Sequence, residues 1–168
     1  MKNLVIGQSG GPTAVINASL YGAVKAFRES GADGHVLGMI NGIEGFLADH
    51  VMDLSTDLSD KELELLKLTP AAYLGSCRYK LPADLDSEVY PAIFDNFREM
   101  NVGYFLYVGG NDSMDTVDKL SRYAEKIGSD VKFIGIPKTI DNDLVLTDHT
   151  PGFGSAAKYV ASTVREIV

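Results

Sequence analysis

Residues 103–113 read GYFLYVGGNDS, and this stretch decides the fold. GYFLYV is a continuous apolar and aromatic run with no polar alternation, the pattern of a strand buried on both faces. Two glycines stop it, and a helix is expected over 112–127. The same unit recurs on either side. Upstream, NLVIG (3–7) is a short apolar run that ends in the loop QSGGP (8–12). The helix that follows carries Val15, Leu20, Ala23, Val24 and Phe27 at helical spacing, with Thr13 as its expected cap. Downstream, VKFIGI (131–136) is a strand that ends in PKTIDND (137–143), and 154–168 reads as a helix. Between these units, HVLGMI (35–40) is a strand weakened by Gly38, and 41–48 is a helical turn or two. SDKELELLKL (59–68) is a capped amphipathic helix, YLGSCRYK (73–80) a loop. Residues 86–100 form a helix with Val89, Ile93, Phe94, Phe97 and Met100 on one face.

Strands that alternate with helices, and that are apolar throughout, imply an α/β fold. The expected architecture is a doubly wound, mostly parallel sheet with helices on both faces, Rossmann-like in layout. With 168 residues, one compact α/β domain over 1–168 is expected. Hydrophobic residues at 45% and charged residues at 23% exclude intrinsic disorder. The 15 basic and 23 acidic residues leave a net charge of −8, which argues against a non-specific nucleic-acid binder. A small anion remains admissible, because local cations and helix N-termini can hold one. The single cysteine, Cys77, excludes a disulfide framework and a four-cysteine zinc site. The N-terminal apolar run is too short for a signal peptide, and no stretch has the length of a membrane span. No membrane partner and a cytoplasmic location are therefore expected. His35, His50 and His149 lack metal-ligand spacing.

In a sheet of this kind, ligands sit outside the carboxyl ends of the strands. Three loops lie there: QSGGP, GGNDS and PKTIDND. In the first, Gly10 and Gly11 let backbone N–H groups approach an anion at a helix N-terminus; a tight turn without ligand explains them equally. In the second, Asp112 or Ser113 is either a helix cap or part of a site, and Asn111 and Asp112 offer oxygens suited to magnesium. The third is the richest. A solvated turn explains Asn142 and Asp143 but not Lys138, Thr139 and Asp141 beside them. A carboxylate next to a lysine can take the proton of an alcohol while the lysine holds phosphate charge. Arg78 and Lys80, two apart in GSCRYK, are either aimed at one anion or are plain surface cations.

Together the three loops resemble the phosphofructokinases, and within them the pyrophosphate-dependent branch. Members open with a strand followed by SGG-x-x-x-x-x-N, here Ser9-Gly10-Gly11 through Asn17. ATP-using members carry GGDGS and PGTIDND. Pyrophosphate-using members place an acid and a lysine at two of those small positions, as Asp112 and Lys138 do here. The likeness runs along essentially the whole chain, GSCRYK and PGFGSAAKYVAS included.

The resemblance implies reversible phosphoryl transfer from pyrophosphate to fructose 6-phosphate in glycolysis, with Mg2+ as cofactor. It implies Asp141, Lys138 and Asp112 as the catalytic group: Asp141 as base toward the sugar 1-hydroxyl, Lys138 on the transferring phosphoryl group, and Asp112 in the space of the α-phosphate of ATP. It implies Gly10, Gly11, Arg78, Lys80, Gly110 and Ser113 at the donor, and Thr139, Ile140 and Asp141 at the sugar phosphate. Asn111 stands where the family usually has its magnesium-ligating aspartate. Family chains run about as long again, and their second half, absent here, supplies further sugar-phosphate contacts. The expectation is therefore an amino-terminal portion carrying the donor site, from an enzyme that is a homo-oligomer. The ATP-dependent enzyme, a catalytically incompetent phosphate-binding fragment, and a Rossmann-like domain whose loops are mere turns are the alternatives.

Overall fold

The computed structural model describes residues 2–168. In chain order its elements are β1 (Asn3–Gln8), α1 (Ile16–Glu29), β2 (Val36–Met39), α2 (Gly42–Leu47), β3 (Val51–Asp53), α3 (Asp60–Leu66), α4 (Val89–Glu99), β4 (Val102–Gly109), α5 (Asn111–Ile127), β5 (Lys132–Pro137) and α6 (Phe153–Ile167). The strands form one sheet in the order β3-β2-β1-β4-β5. β1 pairs in parallel with β2 and β4, and β4 in parallel with β5. Only β3 runs antiparallel, against β2.

Successive side chains of a strand point to opposite faces, so each central strand feeds two cores. Val5, Phe105 and Tyr107 join Phe46, Phe94, Phe97 and Leu120 beneath α2, α4 and α5. Leu4, Ile6 and Val108 join Ile16, Leu20, Val24 and Leu63 beneath α1 and α3. Both faces of the sheet are covered, as the apolar strands demanded. Phe97 centres one core, its ring 5.4 Å from Phe46, 5.1 Å from Phe94 and 5.6 Å from Phe105. Such pairs each add about 0.5–1.5 kcal/mol beyond their buried area. They fix α4 against β4, and so fix the start of the loop that leaves β4.

β1 lies at the middle of the sheet, with β2 on one side and β4 on the other. The strand order reverses there, and the loops that leave β1 and β4 open a crevice between them. β5 continues the same parallel ladder, so its loop leaves at the same edge.

Two local features differ from the sequence reading, and a third element, α6, forms as read but stays exposed. β3 was not foreseen: three half-buried residues at a sheet edge give too short a signal. Thr13 does not cap α1. The helix begins after Val15, in helical conformation without a side-chain cap, and Thr13 Oγ1 is buried without a hydrogen-bond partner. The first turn is instead closed by the Thr13 carbonyl, which accepts from the Ile16 N–H at 3.3 Å. α6 buries none of its residues, and Tyr159, Val160 and Val164 stand exposed along it. By contrast the Ser59 cap of α3 forms as read, reciprocated by Glu62 in a capping box.

Candidate active site

The loop that leaves β1 is held from below by two buried amides. Gln8 Nε2 donates to Asn17 Oδ1 at 3.0 Å and to the Ile16 carbonyl at 3.2 Å, while Gln8 Oε1 accepts the Leu74 N–H at 2.9 Å. Asn17 Nδ2 donates to the Thr69 carbonyl at 2.9 Å, and Asn17 Oδ1 accepts the Tyr73 N–H at 2.8 Å. Both residues are fully buried. A buried amide without partners would carry a desolvation penalty of about 1–3 kcal/mol, so this network pins β1, α1 and residues 69–74 to one another. Asn17 is therefore a support, not a contact residue.

The segment 75–80 is then stitched alongside. The Cys77 carbonyl accepts from Ser9 Oγ at 3.2 Å and from the Gly10 N–H at 3.4 Å, and Ser76 Oγ donates to the Gly10 carbonyl at 2.5 Å. The Cys77 side chain is buried against the Tyr107 hydroxyl, 3.7 Å away, and burial raises the pKa of that phenol. Cys77 is thus an anchor for the strip that carries Arg78 and Lys80. Gly10 has φ +73°, a left-handed conformation in which a side chain is strained.

The loops from β4 and β5 join at their base, where the Lys138 N–H donates to the Gly109 carbonyl at 2.8 Å. α5 starts at once, with extended Gly110 as its N-cap. Neither Asp112 nor Ser113 caps the helix; Asn111 Oδ1 accepts the Asp112 N–H at 2.7 Å, and Ser113 is buried under the first turn. Lys138 is only 3% exposed, and its ammonium donates to the Gly11 carbonyl, bridging the first loop to the third. Burial lowers its pKa below the ordinary lysine value, and the charge of Asp141 pushes the other way. The Asp141 N–H donates to Thr139 Oγ1 at 3.0 Å, while the Thr139 carbonyl accepts from Thr150 Oγ1 at 2.7 Å. Asn142, at φ +54°, closes the rest of the turn through Asp148 and Thr150.

One cleft of about 370 Å³ results, and it brings together Gly10, Gly11, Arg78, Lys80, Gly110, Asn111, Asp112, Ser113, Lys138, Thr139 and Asp141. Ile140 is not among its walls and is 52% exposed. Ser9, Cys77 and Tyr79 also line it and were not singled out from the sequence. They face the cleft because the 75–80 strip runs beside the Gly10 turn, a pairing no local pattern announces. The cleft holds three cations (Arg78, Lys80, Lys138) and two carboxylates (Asp112, Asp141), a local charge of +1 in a chain of −8. That reversal of sign suits a small phosphate-bearing anion. Among the described residues no group of three or more His, Cys, Asp or Glu is placed to cage a metal.

The family model for phosphofructokinase matches residues 3–168. A pyrophosphate–fructose 6-phosphate 1-phosphotransferase of Halomonas elongata is 45% identical over 167 residues, covering 98% of this chain and 39% of its own length. The crystal structure of the pyrophosphate-dependent phosphofructokinase from Nitrosospira multiformis superposes with a TM-score of 0.91 at 42% identity, over 99% of this chain and 41% of that one. An ATP-dependent 6-phosphofructokinase of Clostridium acetobutylicum is more distant, 28% identical over 171 residues, with 99% of this chain and 48% of its own length covered. The chain thus spans about two fifths of the length of the pyrophosphate-named relatives.

Proposed function

Because the chain belongs to the phosphofructokinase family, we propose that its cleft is the donor site of a phosphotransferase that moves a phosphoryl group from pyrophosphate to the 1-hydroxyl of fructose 6-phosphate. The observation that carries this reading is the presence of Lys138 and Asp112 in the wall of one cleft, a buried cation on one loop and a carboxylate on the other. The cation favours a compact, highly charged donor; the carboxylate stands where a longer donor would extend.

In this reading the oxygen of the sugar 1-hydroxyl forms a bond to one phosphorus of pyrophosphate as the bridging P–O bond breaks, and inorganic phosphate leaves. Asp141 takes the hydroxyl proton. Its carboxylate is exposed in the cleft and has no hydrogen-bond partner among the described residues, while its N–H is tied to Thr139. Lys138 and Arg78 neutralise charge on the transferring and leaving groups. Phosphoryl transfer asks little covalent chemistry of a protein, so positioning and fixed charge supply the rate. Thr139 and Asp141 face the acceptor; Ile140, between them in sequence, is placed at the sugar phosphate by the resemblance and lies outside the cleft wall.

Mg2+ belongs to the same proposal. Asn111, Asp112 and Asp141 supply hard oxygen atoms but no cage, and Asn111 Oδ1 already accepts one N–H. Such a set fits a cation held mainly by phosphate oxygens, with one or two protein ligands. When bound, the ion offsets negative charge on the donor oxygens.

The acceptor, cytoplasmic location and homo-oligomeric assembly are likewise part of the proposal. No helix of the described residues is long and apolar enough to cross a membrane. The test is steady-state kinetics of the protein bearing this chain, with fructose 6-phosphate and each donor in turn. Efficient turnover with pyrophosphate and little with ATP is expected; the reverse order gives first place to the ATP-dependent reaction.

A further inference from the structure

We infer that Lys80 offsets Asp112, so that the carboxylate at the cleft mouth does not repel pyrophosphate and the two act as one neutral barrier there. This rests on the pyrophosphate reading above and refines how that reading excludes ATP. Lys80 Nζ lies 3.2 Å from Asp112 Oδ1. Among the described residues this is the only ion pair that joins two cleft walls, the 75–80 strip and the first turn of α5. Both side chains are largely exposed, 73% and 69%, so the pair adds little to folding and its value lies in where it puts charge.

A lone carboxylate in an anion site repels every phosphate, including pyrophosphate. Asp112 alone therefore discriminates poorly, since it penalises the right donor along with the wrong one. Paired with Lys80, its charge is offset, and the cleft keeps a net positive charge for pyrophosphate. What remains at the mouth is a volume filled by two side chains that an adenylyl-bearing donor must displace and desolvate. Arg78, on the same strip, has no partner among the described residues and remains available to the donor. Lys80 thus acts on the donor through Asp112 and is a positioning residue.

The test is calorimetric titration of the protein bearing this chain with magnesium pyrophosphate, on wild type, Lys80→Met, Asp112→Gly and the double variant. Lys80→Met leaves Asp112 uncompensated, and its affinity is expected to fall about tenfold, the effect of one unit charge a few ångströms away near a protein surface. In the Asp112→Gly background the same change is expected to alter affinity by less than about threefold, because without Asp112 nothing holds the exposed Lys80 ammonium at the cleft mouth and solvent screens it. Lys80→Arg should keep near-wild-type affinity. Added salt should narrow the gap between wild type and Lys80→Met. Lys80→Met should melt with wild type, and the double variant with Asp112→Gly, which separates the effect from folding. An equal loss from Lys80→Met in both backgrounds would show that Lys80 binds the donor directly, and no loss in either would show that it is idle; both outcomes overturn the inference. Absence of pyrophosphate binding by the wild type would instead overturn the donor reading, and this inference with it.

Discussion

Gly109 and Gly110 are neighbours in sequence, yet alanine should act on them in opposite ways. A Cβ built on Gly109 overlaps Ser113 Oγ and Cβ and comes within 3.4 Å of Ser9 Cβ. Ser113 is buried and cannot yield, so the first turn of α5 must shift. Overpacking of this kind is worth about 1–3 kcal/mol. At roughly 2–4 °C per kcal/mol for a chain of this size, Gly109→Ala should melt about 2–12 °C lower. A Cβ on Gly110 meets nothing nearer than the Lys138 carbonyl oxygen at 3.7 Å and Thr139 Cβ at 3.9 Å. Its backbone, φ −81° and ψ −161°, is open to any residue. Gly110→Ala should therefore leave stability within about 0.5 kcal/mol, but place a methyl group in the cleft. If pyrophosphate lies against this turn, the same overpacking range weakens its binding by about 5–150-fold. Thermal melts and calorimetric titration of the two variants provide the assay. Wild-type affinity in a correctly folded Gly110→Ala protein would refute the placement of the donor, and an unshifted melt in Gly109→Ala would refute the packing argument.

Three further outcomes follow from the same geometry. Asp141→Ala should cut turnover by about 10²–10⁴-fold with pyrophosphate affinity nearly unchanged, checked by steady-state kinetics; a loss of only a few-fold would assign the proton to another group. Asp112→Gly should admit ATP weakly while pyrophosphate use declines, and adding Lys138→Gly should lower pyrophosphate use further without a matching loss with ATP; no gain with ATP at saturating nucleotide would refute the role of Asp112. Burial lowers the Lys138 pKa below 10.5, so between that lowered value and 10.5 the unfolded chain binds more protons than the folded one. This contribution to stability therefore rises with pH across that window, while pyrophosphate affinity falls as the cation is lost. Lys138→Met should remove both trends; melts and titrations over alkaline pH, with the variant as control, measure them.

The architecture was legible because its central strands are buried on both faces and so carry uninterrupted apolar runs. β3 was not, since Val51–Asp53 is short, half-buried and at an edge. Thr13 had the right chemistry for a cap, but it stands two residues before the N-cap Val15, and backbone closes the helix instead. The site was legible in its three loops, because a parallel sheet delivers the carboxyl ends of its strands to one edge. What lay hidden depends on contacts between distant segments. Gln8 and Asn17 read as a loop residue and a motif position, yet they form the buried knot under the Gly10 turn. The contact of Lys80 with Asp112 and the anchoring of Cys77 beside Tyr107 arise only once the 75–80 strip lies across the crevice. Ile140 follows Thr139 in the motif, yet it is 52% exposed and not among the residues that line the cleft.

The central claim, that pyrophosphate gives up a phosphoryl group at this cleft, is tested most directly by ³¹P NMR of the protein bearing this chain. Incubated with magnesium, pyrophosphate and fructose 6-phosphate, it should replace the pyrophosphate resonance with inorganic phosphate and a new sugar phosphomonoester in equal amounts. The exchange should cease with Asp141→Ala. A pyrophosphate signal that persists while ATP in the same mixture is converted to ADP, with the same phosphomonoester formed, would contradict the account.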